Sequence, residues 1–204
     1  MVPSLSISIS YHRNLAHKSF KLPKRLEYFL AYCAAHALQG DPIDWIERSI
    51  FIWFSKHGRP DNVRDLEKQS FYRFIHKTYF LHHIALAVLL YQLGGLPFFI
   101  WGTCVRIVVL LHITFMVNSV CHIWGKQQWN TGDLSRNNWL VSLLAFGEGW
   151  HNNHHAFEYS ARFGLAWWQI DFGWYAIRFL QAIGVATNVK LPSPIHKQRL
   201  VIDY

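Results

Sequence analysis

The chain has 204 residues, 51% hydrophobic and 17% aromatic but only 16% charged, against about one quarter charged in soluble domains. That balance excludes a disordered chain and argues against an ordinary soluble domain. In a chain with ten Trp, fifteen Phe and nine Tyr, the formal net charge of +8 reads as membrane orientation and not as nucleic-acid binding.

Thirteen His stand out, because neutral imidazole is a common nitrogen ligand for transition metals. Cys33, Cys104 and Cys121 are too few and too scattered for a disulfide framework or a thiolate cluster, and read as apolar filler. Met1 to Ser10 carries no basic residue and no long apolar run, so it reads as neither a secretory signal nor a transit peptide. The sequence reads as the interior of a longer chain.

The first motif is His12-Arg13-Asn14-Leu15-Ala16-His17. On an α-helix a five-residue step turns the second imidazole by about 140° from the first, which suits two adjacent metals better than one. Leu26 to Leu38 is apolar but short, as for an interfacial or re-entrant segment, and Asp41-Pro42 ends it. Residues 46 to 70 carry no coherent amphipathic period.

From Tyr79 to Val120 the chain is long and apolar enough to cross a bilayer, with a break at Gly94-Gly95-Leu96-Pro97. The pattern predicts a helical hairpin, its arms at about Tyr79 to Leu93 and Phe98 to Val117. A hairpin returns both ends to one side. The segment up to Lys77 holds twelve Lys or Arg against seven acids, and that after Val120 seven against five, so the positive-inside tendency puts both in the cytosol or stroma. Arg106 inside the second arm is expected to snorkel or to line a protein cavity.

Asn118 and His122 close the second arm at i and i+4, on one helix face. The strongest signal follows in Gly147-Glu148-Gly149-Trp150-His151-Asn152-Asn153-His154-His155. Its three His at i, i+3 and i+4 converge on one helix face. Random placement at this His content gives only about 0.05 such triplets per chain. A final helix is predicted from about Trp167 to Ile183, before a Pro-punctuated tail. His82 and His83 are expected near a bilayer edge and His112 on a neighbouring polar group, while His36, His57, His76 and His196 lack partners at ligand spacing. An all-imidazole site favours iron, copper or zinc over magnesium or calcium. Beside a bilayer, oxygen activation by a pair of irons is the chemistry expected for an unactivated C–H bond.

These residues carry a resemblance to a known family. His12 to His17, Ser19 to Lys24, Gln39-Gly40-Asp41-Pro42-Ile43-Asp44-Trp45, Asn118-Ser119, Trp129 to Leu134 and Gly147 to Phe157 resemble the plant acyl-lipid and acyl-CoA desaturases of the delta-9 type. The resemblance implies removal of two hydrogens from a saturated acyl chain, with O2 reduced to water at a di-iron centre. Electrons would come from a b-type cytochrome in the endoplasmic reticulum or from ferredoxin in a plastid. It further implies His12, His17, His122, His151, His154 and His155 as iron ligands, Asn118 acting through a water, and Gln39 and Trp45 in the substrate channel.

The chain departs from the family where Asp44-Trp45 runs into Ile46-Glu47-Arg48-Ser49. The family places an H-x-x-H-H box there, so three imidazoles and about thirty residues are missing, and the family's membrane hairpin before His12 is missing too. Such a pattern fits a shortened splice form, a decaying duplicate or a faulty gene model. The fold expected is all-α and a single domain over 1–204, with an integral membrane hairpin at about 79–118. A His-rich helical cap, 1–78 and 119–204, lies on the cytosolic or stromal side. The function expected is that of a desaturase in the endoplasmic reticulum or chloroplast membrane, with a catalytically inactive lipid-binding or partner-binding relative as the alternative. A His-rich sterol hydroxylase shares the H-x-x-H-H chemistry but not the text around residues 12 to 45.

Overall fold

A computed structural model describes residues 2–54 and 61–202, whose regular elements are helices with no strand among them. In chain order the helices are α1 (Val2–Ser6), a π-helical segment (Ile7–Ala16), α2 (Lys24–Ala35), α3 (Pro42–Phe54), α4 (Asp61–Glu67), α5 (Ser70–Phe99), a second π-helical segment (Ile100–Val105), α6 (Arg106–Ile123), α7 (Trp139–Leu144), α8 (His151–Ala156), α9 (Phe172–Ala182) and α10 (Pro194–Leu200). They divide into two compact units, one of Met1–Ala16 with Arg25–His112 and one of His17–Lys24 with Ile113–Tyr204.

The first unit is built on a core of Tyr11, Leu15, Ala31, Ala34, Ile43, Ile46, Val63, Leu66 and Tyr72. Ala31 and Ala34 are fully buried, and their small side chains bring α2 close to its neighbours. Tyr72 donates to Glu27 at 3.0 Å and Tyr28 to Gln69 at 2.9 Å, which satisfies polar groups that would otherwise cost stability in this core. Helix α3 starts where the sequence stops the preceding apolar stretch. The Asp41 carboxylate accepts from the Ile43 and Asp44 amides, and Pro42 takes the first helical position. Residues 42–54 and 61–67 are helical, and 42–54 is amphipathic, which corrects the expectation that no such period runs through 46 to 70. Ile43 and Ile46, one turn apart on α3, reach the core together with Val63 and Leu66 of α4.

Helix α5 starts at Ser70 and not at Tyr79, because Tyr72 and Ile75 are buried and extend the helix back from the apolar run. Gly94 and Gly95 interrupt it, Gly95 at φ +63°, a left-handed conformation that glycine adopts without penalty. Gly102 then lies against Leu90, where a Cβ would sit 2.8 Å from the leucine methyl. Ser70–Ile123 is the run among the described residues long and apolar enough to cross a membrane. The mean hydropathy of its most apolar 18-residue window is 1.9, and only 6% of that window is buried. Arg106 donates to the carbonyls of Gly102 and His36, so backbone oxygens inside the protein satisfy its guanidinium.

In the second unit α6 packs its last turns on α7, with Val117 and Cys121 against Val141 and Ala145. Asn138 caps α7 by accepting from the Leu140 and Val141 amides, and Asp171 caps α9 by accepting from Trp174. This cap sets the start of α9 at Phe172, five residues after the position expected from the sequence. Residues 17–24 join this unit through a ladder with the tail: the Lys21 and Thr187 backbones exchange hydrogen bonds of 2.8 and 3.0 Å, and the Lys190 amide donates to Ser19 at 2.9 Å.

Candidate metal centre

Helix α8 has only six residues, too few to persist as an isolated helix. Two buried asparagines between its histidines hold it. Asn152 accepts from the Gln128 and Trp129 amides at 2.7 and 2.8 Å and donates to the Trp129 carbonyl at 3.0 Å. Asn153 accepts from the Trp129 indole at 2.8 Å and the Asn137 amide group at 2.7 Å, and donates to the Phe163 carbonyl and Gln169. Gly149 lets the approach to α8 press onto α7, since a Cβ there would lie 2.1 Å from the Ser142 nitrogen.

The helix so fixed brings His151 and His155 to His122 at the end of α6. The Nε2 atoms of His151 and His122 are 3.0 Å apart. The ring of His155 lies 4.3 Å from that of His151 and 5.6 Å from that of His122, centre to centre. One ligand nitrogen from each of the three falls within 4.8 Å of the others. Two imidazoles bound at right angles to one ion at about 2.1 Å each would put their nitrogens about 3.0 Å apart. The His122–His151 spacing fits that geometry, and an all-nitrogen donor set fits a transition metal.

The remaining α8 histidine, His154, meets His17 at 4.8 Å between ring centres in a T-shaped contact, and packs on Phe163 at 4.5 Å. His17 reaches it on the segment that the Lys21–Thr187 ladder anchors. His12 lies in the other unit, its ring 5.8 Å from Trp45, which in turn packs at 5.6 Å on Tyr11. The α-helical rotation expected for the His12–His17 step does not apply: His12 stands on Ile7–Ala16, which is wound as a π-helix, and that helix ends before His17. Asn118 sits one turn before His122 and is exposed. Gln39 donates to the Leu110 carbonyl at 3.4 Å in the first unit.

Sequence reasoning missed the carboxylate that orients this centre. An Asp133 oxygen lies 2.6 Å from the Nδ1 of His155. Its other oxygen accepts from the Thr131 hydroxyl at 2.7 Å and the Ser135 amide at 2.8 Å. Burial pushes this carboxyl up, but the hydrogen bonds from Ser135, Thr131 and His155 outweigh it and hold it well below the usual carboxylate range. An ionised carboxylate at Nδ1 makes that nitrogen the protonated one and leaves the Nε2 lone pair for a metal. Only the Trp129 to Leu134 text, read as family resemblance and not as chemistry, pointed here.

The isolated histidines divide. His112 bonds the Val108 carbonyl at 2.8 Å, as expected of a residue on a neighbouring polar group, and His196 meets the Tyr159 hydroxyl at 2.9 Å. His76, expected without a partner at ligand spacing, stands 3.0 Å from Asp41 and 3.7 Å from Asp44. That cluster joins the start of α3 to α5. His57 lies outside the described residues. A cavity of about 530 Å³ in the second unit, lined by Trp139, Trp150, Trp168 and Lys126 among others, includes none of the histidines.

The fatty acid desaturase family pattern matches residues 7–182. The chain is 58% identical to the chloroplastic palmitoyl-monogalactosyldiacylglycerol delta-7 desaturase of Arabidopsis thaliana, over 96% of this chain and 61% of that protein. It is 52% identical to the icosanoyl-CoA 5-desaturase of Limnanthes douglasii, over 96% of this chain and 64% of that protein. With delta-9 acyl-lipid desaturase 2 of Arabidopsis thaliana the identity is 48%, over 98% and 75%. The chain thus spans about three fifths of the length of the first two relatives. The delta-7 alignment runs over 226 positions, more than the 204 residues present. At least 22 positions inside the matched span of that relative therefore have no counterpart in this chain.

Proposed function

Because the chain belongs to the fatty acid desaturase family, we propose that it is a membrane acyl-chain desaturase holding a pair of irons through His12, His17, His122, His151, His154 and His155. Asn118 reaches its ion through a water. The observation that carries this reading is the convergence of His122, His151 and His155 beside Asp133. His12 enters through the family resemblance of its motif. When bound, the irons supply O2 activation. In the balanced reaction two neighbouring acyl carbons lose one hydrogen each, and O2 takes these with two protons and two electrons to give two waters. A b-type cytochrome or ferredoxin delivers the electrons.

The protein's own part is to hold, orient and exclude. Asp133 keeps the proton of His155 on Nδ1 and so aims Nε2 inward. Asn152 and Asn153 fix the rotation of α8, so that three imidazoles are oriented without reorganisation. Trp45, in tilted and edge contact with the Tyr11 and His12 rings, lines the acyl channel with Gln39 and keeps water from it. The substrate is an acyl-lipid or acyl-CoA. Residues 79–118 form the membrane hairpin, and 1–78 and 119–204 the cap on its cytosolic or stromal side, in a chloroplast or endoplasmic reticulum membrane. Iron content of the purified full chain, with acyl-chain analysis of cells expressing it, tests the reading. His122→Ala and His151→Ala should each lower bound iron, and equal iron in all three proteins would refute the ligand set.

A second reading, a catalytically impaired relative that binds lipid or a partner, draws on the positions without counterpart in the delta-7 alignment and on the lack of an H-x-x-H-H triplet after Trp45. The relatives' names favour the enzyme.

A further inference from the structure

Helix α9 is apolar on two faces. Gly173, Trp174 and Ile177 are buried in the second unit, yet Phe172, Tyr175, Phe179 and Ile183 stand outside at 40%, 50%, 64% and 56% exposure. A surface helix of a water-soluble unit carries charged or polar side chains on that outer stripe. Here the charged member is Arg178, its guanidinium laid 5.6 Å over the Trp174 ring and donating to Gln181 at 2.9 Å, a posture in which the stem covers apolar surface. Helix α7 repeats the pattern, with Val141 and Ser142 buried while Trp139, Leu140, Leu143 and Leu144 face out. The two helices are stitched together: the Gly173 amide donates to the Phe146 carbonyl at 3.0 Å, and the Phe146 and Phe172 rings meet at 6.1 Å.

What covers this surface follows from its continuity. Within the same unit α7 packs side by side on the last turns of α6 through Val117, Cys121, Val141 and Ala145. Those turns end the apolar run, and their own outer residues, Phe115 and Ile123, are 60% and 63% exposed. Because α7 itself packs on the end of the apolar run, the medium around that end also reaches the outer residues of α7. Trp124, Trp139, Trp167 and Trp168 are all exposed along this surface, and Trp with Tyr is the composition that settles at a membrane–water interface. Contiguous apolar surface of this extent marks a binding face.

We propose that the outer face of α7 and α9, with Trp167 and Trp168, is immersed in the interfacial layer of the bilayer. The second unit thus sits partly in one leaflet, beyond the spanning run itself. The proposal rests on the reading of residues 79–118 as membrane-spanning, and its test separates the two.

The full chain is reconstituted into phosphatidylcholine–phosphatidylglycerol vesicles and footprinted with water-borne hydroxyl radicals. If water bathed this face, Trp167 at 91% exposure would oxidise about thirty times faster than Trp150 at 3%, the ratio of their exposures. Immersion brings that ratio close to one. Spin labels at Leu143→Cys, Phe179→Cys and Phe115→Cys, in a Cys33→Ala, Cys104→Ala, Cys121→Ala background, identify the covering medium. The expected result is access to oxygen and not to a water-soluble nickel chelate at all three sites. Nickel access at 143 and 179 but not at 115 overturns this proposal and leaves the spanning run intact. Nickel access at all three overturns both. Screening of 143 and 179 from both reagents means a protein partner or a second copy, and overturns it as well. The footprint uses the unsubstituted chain, so a background that fails to fold leaves a decisive measurement.

Discussion

Asp133 and His155 are joined at 2.6 Å, from carboxylate oxygen to Nδ1, and this pair determines which nitrogen of His155 is left to bind a metal. Replacing a carboxylate behind a ligating histidine typically costs 10 to 100-fold in metal affinity. Asp133→Asn should lose affinity within that range with the helical fold retained, and Asp133→Glu should recover part of it. Competition of cobalt against a chelator reads the affinity, and the cobalt d–d spectrum reads the ligand geometry. A cobalt affinity and spectrum identical to the unsubstituted chain would show that Asp133 does not orient the site.

Asn153 supports the centre without touching a metal. Its side chain makes four hydrogen bonds, to Trp129, Asn137, Phe163 and Gln169, at 1% exposure. Removing it leaves several buried partners unpaired, so Asn153→Ala should cost about 3 kcal/mol of stability and loosen α8. The check is denaturant unfolding in detergent together with metal content, and both should fall. A stable variant with reduced metal would mean that the asparagine acts on the ligands and not on the fold.

The carboxyl of Asp44 is pushed up to about 6, first by burial and then by its hydrogen bond to Asp41 and the charge there, with His76 and Arg48 opposing. Its folded value lies above the unfolded one, so the native state holds the proton more tightly. The stability it contributes is full below about pH 4 and is lost as pH rises through about 6. Asp44→Asn removes that slope. Melting temperatures at about pH 4.5 and pH 7 should show the variant gaining on the unsubstituted chain at the higher pH, and a constant difference would contradict the assignment.

With no H-x-x-H-H triplet after Trp45, the ligand set leaves coordination positions open. A version with the triplet restored should hold its irons more tightly and form new double bonds faster than the chain as it stands. Equal iron retention and turnover in the two would refute this.

The parts of the fold and site that depend on local pattern were legible in the sequence. The spacing in the α8 triplet brings His151 and His155 together, while His154, expected to converge with them, turns to His17; hydropathy found the apolar run. What escaped it depends on residues far apart. Asp133 meets His155 across 22 positions, and His76 meets Asp41 across 35. No periodicity encodes either pairing. The π-winding of Ile7–Ala16 escaped for another reason: its residues also suit an α-helix, and the choice between the two is made by packing around Tyr11 and Leu15.

The ladder between Lys21 and Thr187 imposes a timetable on assembly. The two residues are 166 positions apart, and closing a loop of that length costs about 4.5 kcal/mol of chain entropy. The buried Phe20 ring and the paired backbone offset that cost only once the tail exists. At 5 to 20 residues per second, roughly ten to thirty seconds separate the synthesis of Lys21 from that of Thr187. His17 therefore leaves the ribosome long before its seat does. His17, made before His122 and the α8 triplet, is thus fixed after them.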